Sequence, residues 1–171
     1  MAFVKKKQTW TRFSVKAAVL FVLMAAAGVG FASRYRIGID PQVEKCIPGV
    51  TFYLVDMKDK GLMRGKVYAF TAKGLQPFFR DGTRMVKFLR GMPADMVEVT
   101  AEHAVLVNGE QVGKGLFLTR ELKQPASKFI GKGVLADHQY WFMGLSDRSF
   151  DSRYWGTVKD EQIIGRAYPL F

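Results

Sequence analysis

The chain has 171 residues, 49% hydrophobic and 24% charged, with a net charge of +11 and a single cysteine. That length suits one domain with an appendage, and the composition excludes global disorder. One cysteine excludes an intramolecular disulfide, CxxC redox chemistry and a multi-cysteine zinc site. The two histidines, His103 and His138, are far apart and not at ligand spacing, so neither a metal nor a cofactor is expected.

The N-terminus is basic, with Lys5, Lys6, Lys7 and Arg12, and Lys16 just beyond. From Ala17 to Ala32 there is no charged residue. Phe13 to Ser33 is long enough to cross a ~30 Å hydrocarbon core as a helix. Trp10 and Tyr35 stand near its ends, where amphipathic rings favour the interface. The pattern predicts a cytoplasmic basic segment over 1–13, a transmembrane anchor over 14–33 and an exported β-rich domain over 34–171, oriented by the basic side. A cleaved signal peptide is the alternative, since Ala25-Ala26-Ala27-Gly28 and Gly30-Phe31-Ala32 supply small residues. A lipid bilayer accounts for the charge more simply than nucleic acid does. The basic residues are spread along the chain, with no helix-turn-helix pattern and no basic-aromatic platform.

Cys46-Ile47-Pro48-Gly49 follows the apolar segment. A lone cysteine is often a small buried hydrophobe. Outside the cytoplasm, an odd thiol also raises the question of reactivity. Strands are then expected at 51–55, 66–70 and 83–89 from their β-branched and aromatic content. The stretch between Gly74 and Asp81 reads as loop, with Phe78 and Phe79 exposed. Alternation along 83–89 sets Lys87 on one face with Met85 and Leu89. Such a lysine either snorkels to water or loses its hydration. Desolvation disfavours an ammonium ion, so a lysine so placed can act as a base.

Gly91 to Asp95 reads as a turn, 96–99 and 104–107 as strands, and Asn108-Gly109 as a hairpin turn into 110–112. Residues 114–133 read as an exposed excursion and 139–143 as a strong strand. Gly144 to Gly156 packs three serines, two aspartates and two arginines into one loop. That loop is either a solvated turn or a scaffold in which Asp151 and Arg153 pair while a serine hydroxyl orients a neighbour. A last strand covers 163–167. Short strands with Gly and Pro punctuation argue for an all-β body.

Several of these stretches together resemble the type I signal peptidases, membrane-anchored serine proteases with a Ser-Lys dyad. Arg64-Gly65-Lys66-Val67 is similar to the family's Arg-Gly-Asp-hydrophobic strand, with Lys66 where aspartate is usual. Met85 to Asp95 resembles its lysine box, which ends in a Gly-x-Pro-Gly-Asp turn; here Ala94 replaces the second glycine. Leu106 to Gly109 fits the hairpin that follows. Asp151 to Gly156, with Gly165-Arg166-Ala167, matches the last box almost letter for letter. The resemblance implies a mostly β, signal-peptidase-like barrel or sandwich body with one N-terminal transmembrane helix, on a bacterial inner membrane with the catalytic domain periplasmic.

By position the resemblance makes Lys87 the general base and sets Cys46 where the family has its serine nucleophile. Ser149 would hydrogen-bond the lysine, and Asp151 with Arg153 would brace the loop. Two positions before the nucleophile, where the family often has a small hydroxyl that helps bind the oxyanion, this chain has Glu44. A short chain with a single anchor is similar to the conjugative-transfer (TraF-like) branch, whose substrates are pilin precursors or related secretion subunits. The expected function is therefore cleavage of exported pre-proteins by a Cys-Lys dyad. A non-catalytic periplasmic assembly protein on the same fold is the alternative.

Overall fold

A computed structural model describes residues 9–171 of the chain. Helix α1 spans Trp10–Arg34, 25 residues with none buried. Its run of Ala, Leu, Val and Met lacks proline and favours helix. Arg34 in the last turn complements the macrodipole, and Tyr35 turns extended. By length and composition α1 is apolar enough to cross a membrane. It starts four residues before and ends one residue after the 14–33 segment anticipated as the anchor.

Arg36–Phe171 forms a separate compact unit. Its strands are β1 (Tyr35–Ile39), β2 (Phe52–Asp56), β3 (Val67–Thr71), β4 (Arg84–Gly91), β5 (Met96–Val99), β6 (Ala104–Val107), β7 (Glu110–Lys114), β8 (Gly131–Val134), β9 (Gln139–Met143), β10 (Val158–Lys159) and β11 (Ile163–Pro169). One short helix, α2, covers Ser152–Trp155. A seven-stranded sheet runs β1-β2-β11-β3-β4-β9-β10, and a four-stranded sheet runs β7-β6-β5-β8. The body is thus mostly β, as expected.

The large sheet is buried on both faces at its centre. On β3, Tyr68 and Phe70 pack with Met85, Leu89, Phe142 and Ile163. Val67 and Ala69 pack on the other side with Ile47, Tyr53, Val55 and Ala167. Two buried faces explain why Val67–Phe70 reads as a continuous apolar run rather than an alternation. Strand β4 does alternate, with Met85, Lys87, Leu89 and Gly91 buried and the residues between them half-buried. Its pairing with β3 sets Lys87 opposite Tyr68.

Strands β1, β8 and β10 and helix α2 were not legible in the sequence. Strand β8 lies in the segment read as an excursion, after a 3₁₀ turn at Ala126–Lys128. All four β8 residues are exposed, and Gly131, Lys132 and Gly133 carry no β signal; its place comes from pairing with β5. Strand β1 alternates only weakly and is held as the edge of the large sheet. Of the two aromatics read as exposed, Phe78 is exposed but Phe79 is half-buried and stacks on Phe150, with centroids 5.7 Å apart.

The turn between β4 and β5 is built on Asp95. Its carboxylate accepts from Arg64 Nη2 at 2.9 Å, Met92 N at 2.6 Å and Asn108 Nδ2 at 2.8 Å. Burial works to raise this carboxyl, but the bonds from Arg64, Met92 and Asn108 outweigh it and hold it below its ordinary value. Lys66, at the family's aspartate position, faces solvent. Ala94 in this turn has φ 68°, in the left-handed region that penalises a Cβ. Ala94 is exposed, so a glycine there loses no packing. Ala94→Gly is expected to stabilise the fold by about 0.5–1 kcal/mol, the steric relief exceeding the added freedom of the unfolded chain. Urea denaturation at constant m-value checks it.

Candidate active site

The site forms where the 40–49 loop, β4 and the 144–153 segment meet. Lys87 is 1% exposed, and its amine has two side-chain partners. Nζ lies 2.8 Å from Cys46 Sγ and 3.0 Å from Ser149 Oγ. Ser149 is itself buried, whereas Cys46 is half-exposed. The thiol therefore faces the site rather than the core, and the Lys87 amine is beside it. The amine is thus within hydrogen-bond reach of both a thiol and a hydroxyl, the geometry that proton transfer between them requires.

Why the chain folds this way locally is clearest in the segment after β9. Asp151 caps α2, with its Oδ1 accepting from Arg153 N. Its carboxylate also takes Arg153 Nε at 2.8 Å, Arg153 Nη2 at 2.9 Å and Gly144 N at 3.1 Å. Arg153 spends its remaining donors on the carbonyls of Lys114, Gly115 and Ser149. Burial works to lower the Arg153 guanidinium, but the bonds and charge of Asp151 outweigh it and raise its value. This pair, buried and fully hydrogen-bonded, ties the loop bearing Ser149 to the end of β7. Asp151 is 0% and Arg153 4% exposed, so the solvated-turn reading of this loop does not hold.

Two further residues hold the site, and neither stood out in the sequence. Ser152 Oγ accepts from Phe142 N at 2.9 Å and fastens α2 to β9. Gly144 lets the two loops close: a Cβ there would overlap the Ser149 side chain and lie 2.9 Å from Cys46 O. The same Cys46 carbonyl accepts from Leu145 N at 2.8 Å. Gly144→Ala is expected to push Cys46 and Ser149 apart. The cost is about 1–3 kcal/mol of stability by overpacking and about 10²-fold in activity by misplacement. Thermal melts and a processing assay measure the two effects separately.

The site opens onto a groove of about 660 Å³ lined by β1, Tyr53, Val55, Ala69, Met85 and Val86 beside Cys46 and Lys87. Burial, then the charges of Asp40 and of a Cys46 thiolate, push the Tyr53 phenol up to about 12, so it stays neutral at physiological pH. Glu44 is engaged by Arg148: its Oε2 accepts from Arg148 Nε at 2.8 Å, and Arg148 Nη2 also donates to Glu121 at 2.7 Å. The histidines lie elsewhere in turns, both at positive φ, and His138 pairs with Asp160.

A family model described as "Signal peptidase, peptidase S26" matches residues 8–171. Among curated proteins, the "Probable signal peptidase I-2" of Synechocystis sp. is 28% identical over 63% of this chain and 47% of its own length. The "Signal peptidase I" of Pseudomonas fluorescens is 26% identical over 50% of this chain and 42% of its own. The chain thus spans less than half the length of these two relatives. A solved signal peptidase I from Enterococcus faecalis V583 is 23% identical, with a TM-score of 0.41 over 63% of this chain and 97% of that one.

Proposed function

We propose, from the premise that this chain belongs to the peptidase S26 signal peptidase family, that it is a membrane-anchored endopeptidase that cleaves exported pre-proteins through a Cys46–Lys87 dyad. The observation that carries this reading is the 2.8 Å approach of a buried lysine amine to the only cysteine of the chain. Neutral Lys87 takes the thiol proton, and the Cys46 thiolate attacks the scissile carbonyl carbon. The carbonyl π pair moves to oxygen and forms a tetrahedral oxyanion. Its collapse restores the C=O and breaks the C–N bond, and the Lys87 ammonium returns the proton to the leaving amine. Water, deprotonated by Lys87, then attacks the thioester and releases the acid and the thiol. Ser149 holds the amine in line throughout, and Asp151 with Arg153 holds Ser149.

The domain arrangement follows the same reading. Residues 1–13 stay cytoplasmic, 14–33 anchor the chain in the bacterial inner membrane, and 34–171 work on the periplasmic side. The apolar groove beside the β1 edge suits an extended peptide with small side chains near the cut. The few insertions between the family's sequence boxes support a place in the conjugative-transfer (TraF-like) branch, with pilin precursors as substrates. Co-expression with candidate exported pre-proteins, followed by N-terminal sequencing of the products, tests the function. Processing that requires both Cys46 and Lys87 is expected. Normal processing by Cys46→Ala protein would instead support the non-catalytic assembly reading.

A further inference from the structure

The oxyanion of that reaction needs hydrogen-bond donors, and the position where a hydroxyl would help is occupied by Glu44. Glu44 has no hydrogen to donate when ionised, and it is engaged with Arg148. The Cys46 backbone N–H is one donor, and among the described residues it gives its hydrogen to no backbone carbonyl. A second donor comes from another residue of the same loop. Gln42 lines the groove with Cys46 and Lys87, and its carboxamide Oε1 lies 3.7 Å from Cys46 Sγ. Its backbone is fixed separately, by Gln42 N donating to Asp40 Oδ1 at 3.0 Å.

We infer that the Gln42 carboxamide is the side-chain donor of the oxyanion hole, taking the place that Glu44 has vacated. The inference rests on the dyad proposed above. In the resting site the thiol can donate to Oε1. Once its proton has moved to Lys87, sulfur has none to give. A half-turn about the terminal bond of Gln42 then exchanges oxygen for the isosteric NH₂. A group 3.7 Å from the attacking sulfur is close to where the oxygen of the adduct develops, since that oxygen is held to sulfur through a single carbon. Glutamine and asparagine amides are known donors in such holes, and their loss costs on the order of 10²–10³ in kcat. Gln42 is exposed, and among the described residues the thiol is its one side-chain hydrogen-bond partner, so replacing it leaves the core untouched.

The test uses full-length protein in detergent, a tri-alanine peptide aldehyde and the matching alcohol. The aldehyde adds reversibly to the thiol: the C–S bond forms, and the thiol proton ends on the former carbonyl oxygen, which occupies the hole. The alcohol makes no adduct. Protection of Cys46 from iodoacetamide reads the binding of each. In Gln42→Ala and in Gln42→Met, which keeps much of the volume without the amide, aldehyde protection is expected to weaken by about three- to tenfold, the value of one hydrogen bond to the neutral hemithioacetal oxygen. Binding of the alcohol is expected to stay at its wild-type value, and protection in each protein is read against that protein's own alkylation rate without ligand. With a processed pre-protein in hand, kcat falls by about 10²-fold with KM little changed. Equal aldehyde protection in wild type and both variants would overturn the role of Gln42 while leaving the dyad standing. Aldehyde protection no better than alcohol in the wild-type protein would overturn the dyad, and this inference with it.

Discussion

Lys87→Arg is expected to lose processing as completely as Lys87→Ala, by about 10²–10⁴-fold, the usual contribution of a positioned general base. Arginine keeps its proton at any relevant pH and cannot take one from a thiol. Lys87→Met separates chemistry from folding, because it fills a similar volume in the buried site without an amine. Its melting temperature should stay close to wild type while its activity falls with the other two. It should also slow the reaction of Cys46 with iodoacetamide, since the amine 2.8 Å from sulfur is the group that takes its proton. Full activity in the arginine variant would remove Lys87 from the mechanism. Loss of activity only in variants that fail to fold would make it a packing residue.

Cys46 carries the larger expected effect. Cys46→Ala removes the nucleophile, and comparable deletions cost on the order of 10⁶-fold in kcat. Iodoacetamide should stop processing by the native chain, with mass spectrometry finding a single carboxamidomethyl group at Cys46, the only cysteine. Cys46→Ser should resist the reagent whatever activity it keeps. A hydroxyl holds its proton far more tightly than a thiol, so the serine variant asks more of Lys87 and of the oxyanion donors. Unchanged processing by fully alkylated protein would end the proposal that this thiol attacks the substrate.

Much of this chain was legible because its local signals agree. The β-branched and aromatic runs at Phe52–Asp56, Val67–Thr71 and Gln139–Met143 have one dominant conformation, and Asn108-Gly109 favours the positive φ that both residues adopt. The alternation that put Lys87 beside Met85 and Leu89 was visible because a strand has a period of two. The sequence likewise singled out Cys46, Lys87, Ser149, Asp151 and Arg153 as candidates, through motifs spread over more than a hundred residues.

Other features depend on contacts that no local window contains. Strand β8 has no apolar pattern and exists through backbone pairing with β5. Gly144 reads as one more loop glycine until Ser149 and the Cys46 carbonyl are placed against it. The charged loop from Gly144 to Gly156 by itself favours a solvated turn over a scaffold, because residue types do not reveal burial. Long-range bonds from Arg153 to Lys114 and Gly115 decide for the scaffold. The 2.8 Å approach of Lys87 to Cys46 spans 41 positions of sequence and is set by how the 40–49 loop packs on the sheet. The turning of Glu44 to Arg148 and of Gln42 toward the thiol is of the same kind. Residue identity limits which bonds a side chain can make, and the packed neighbours select among them.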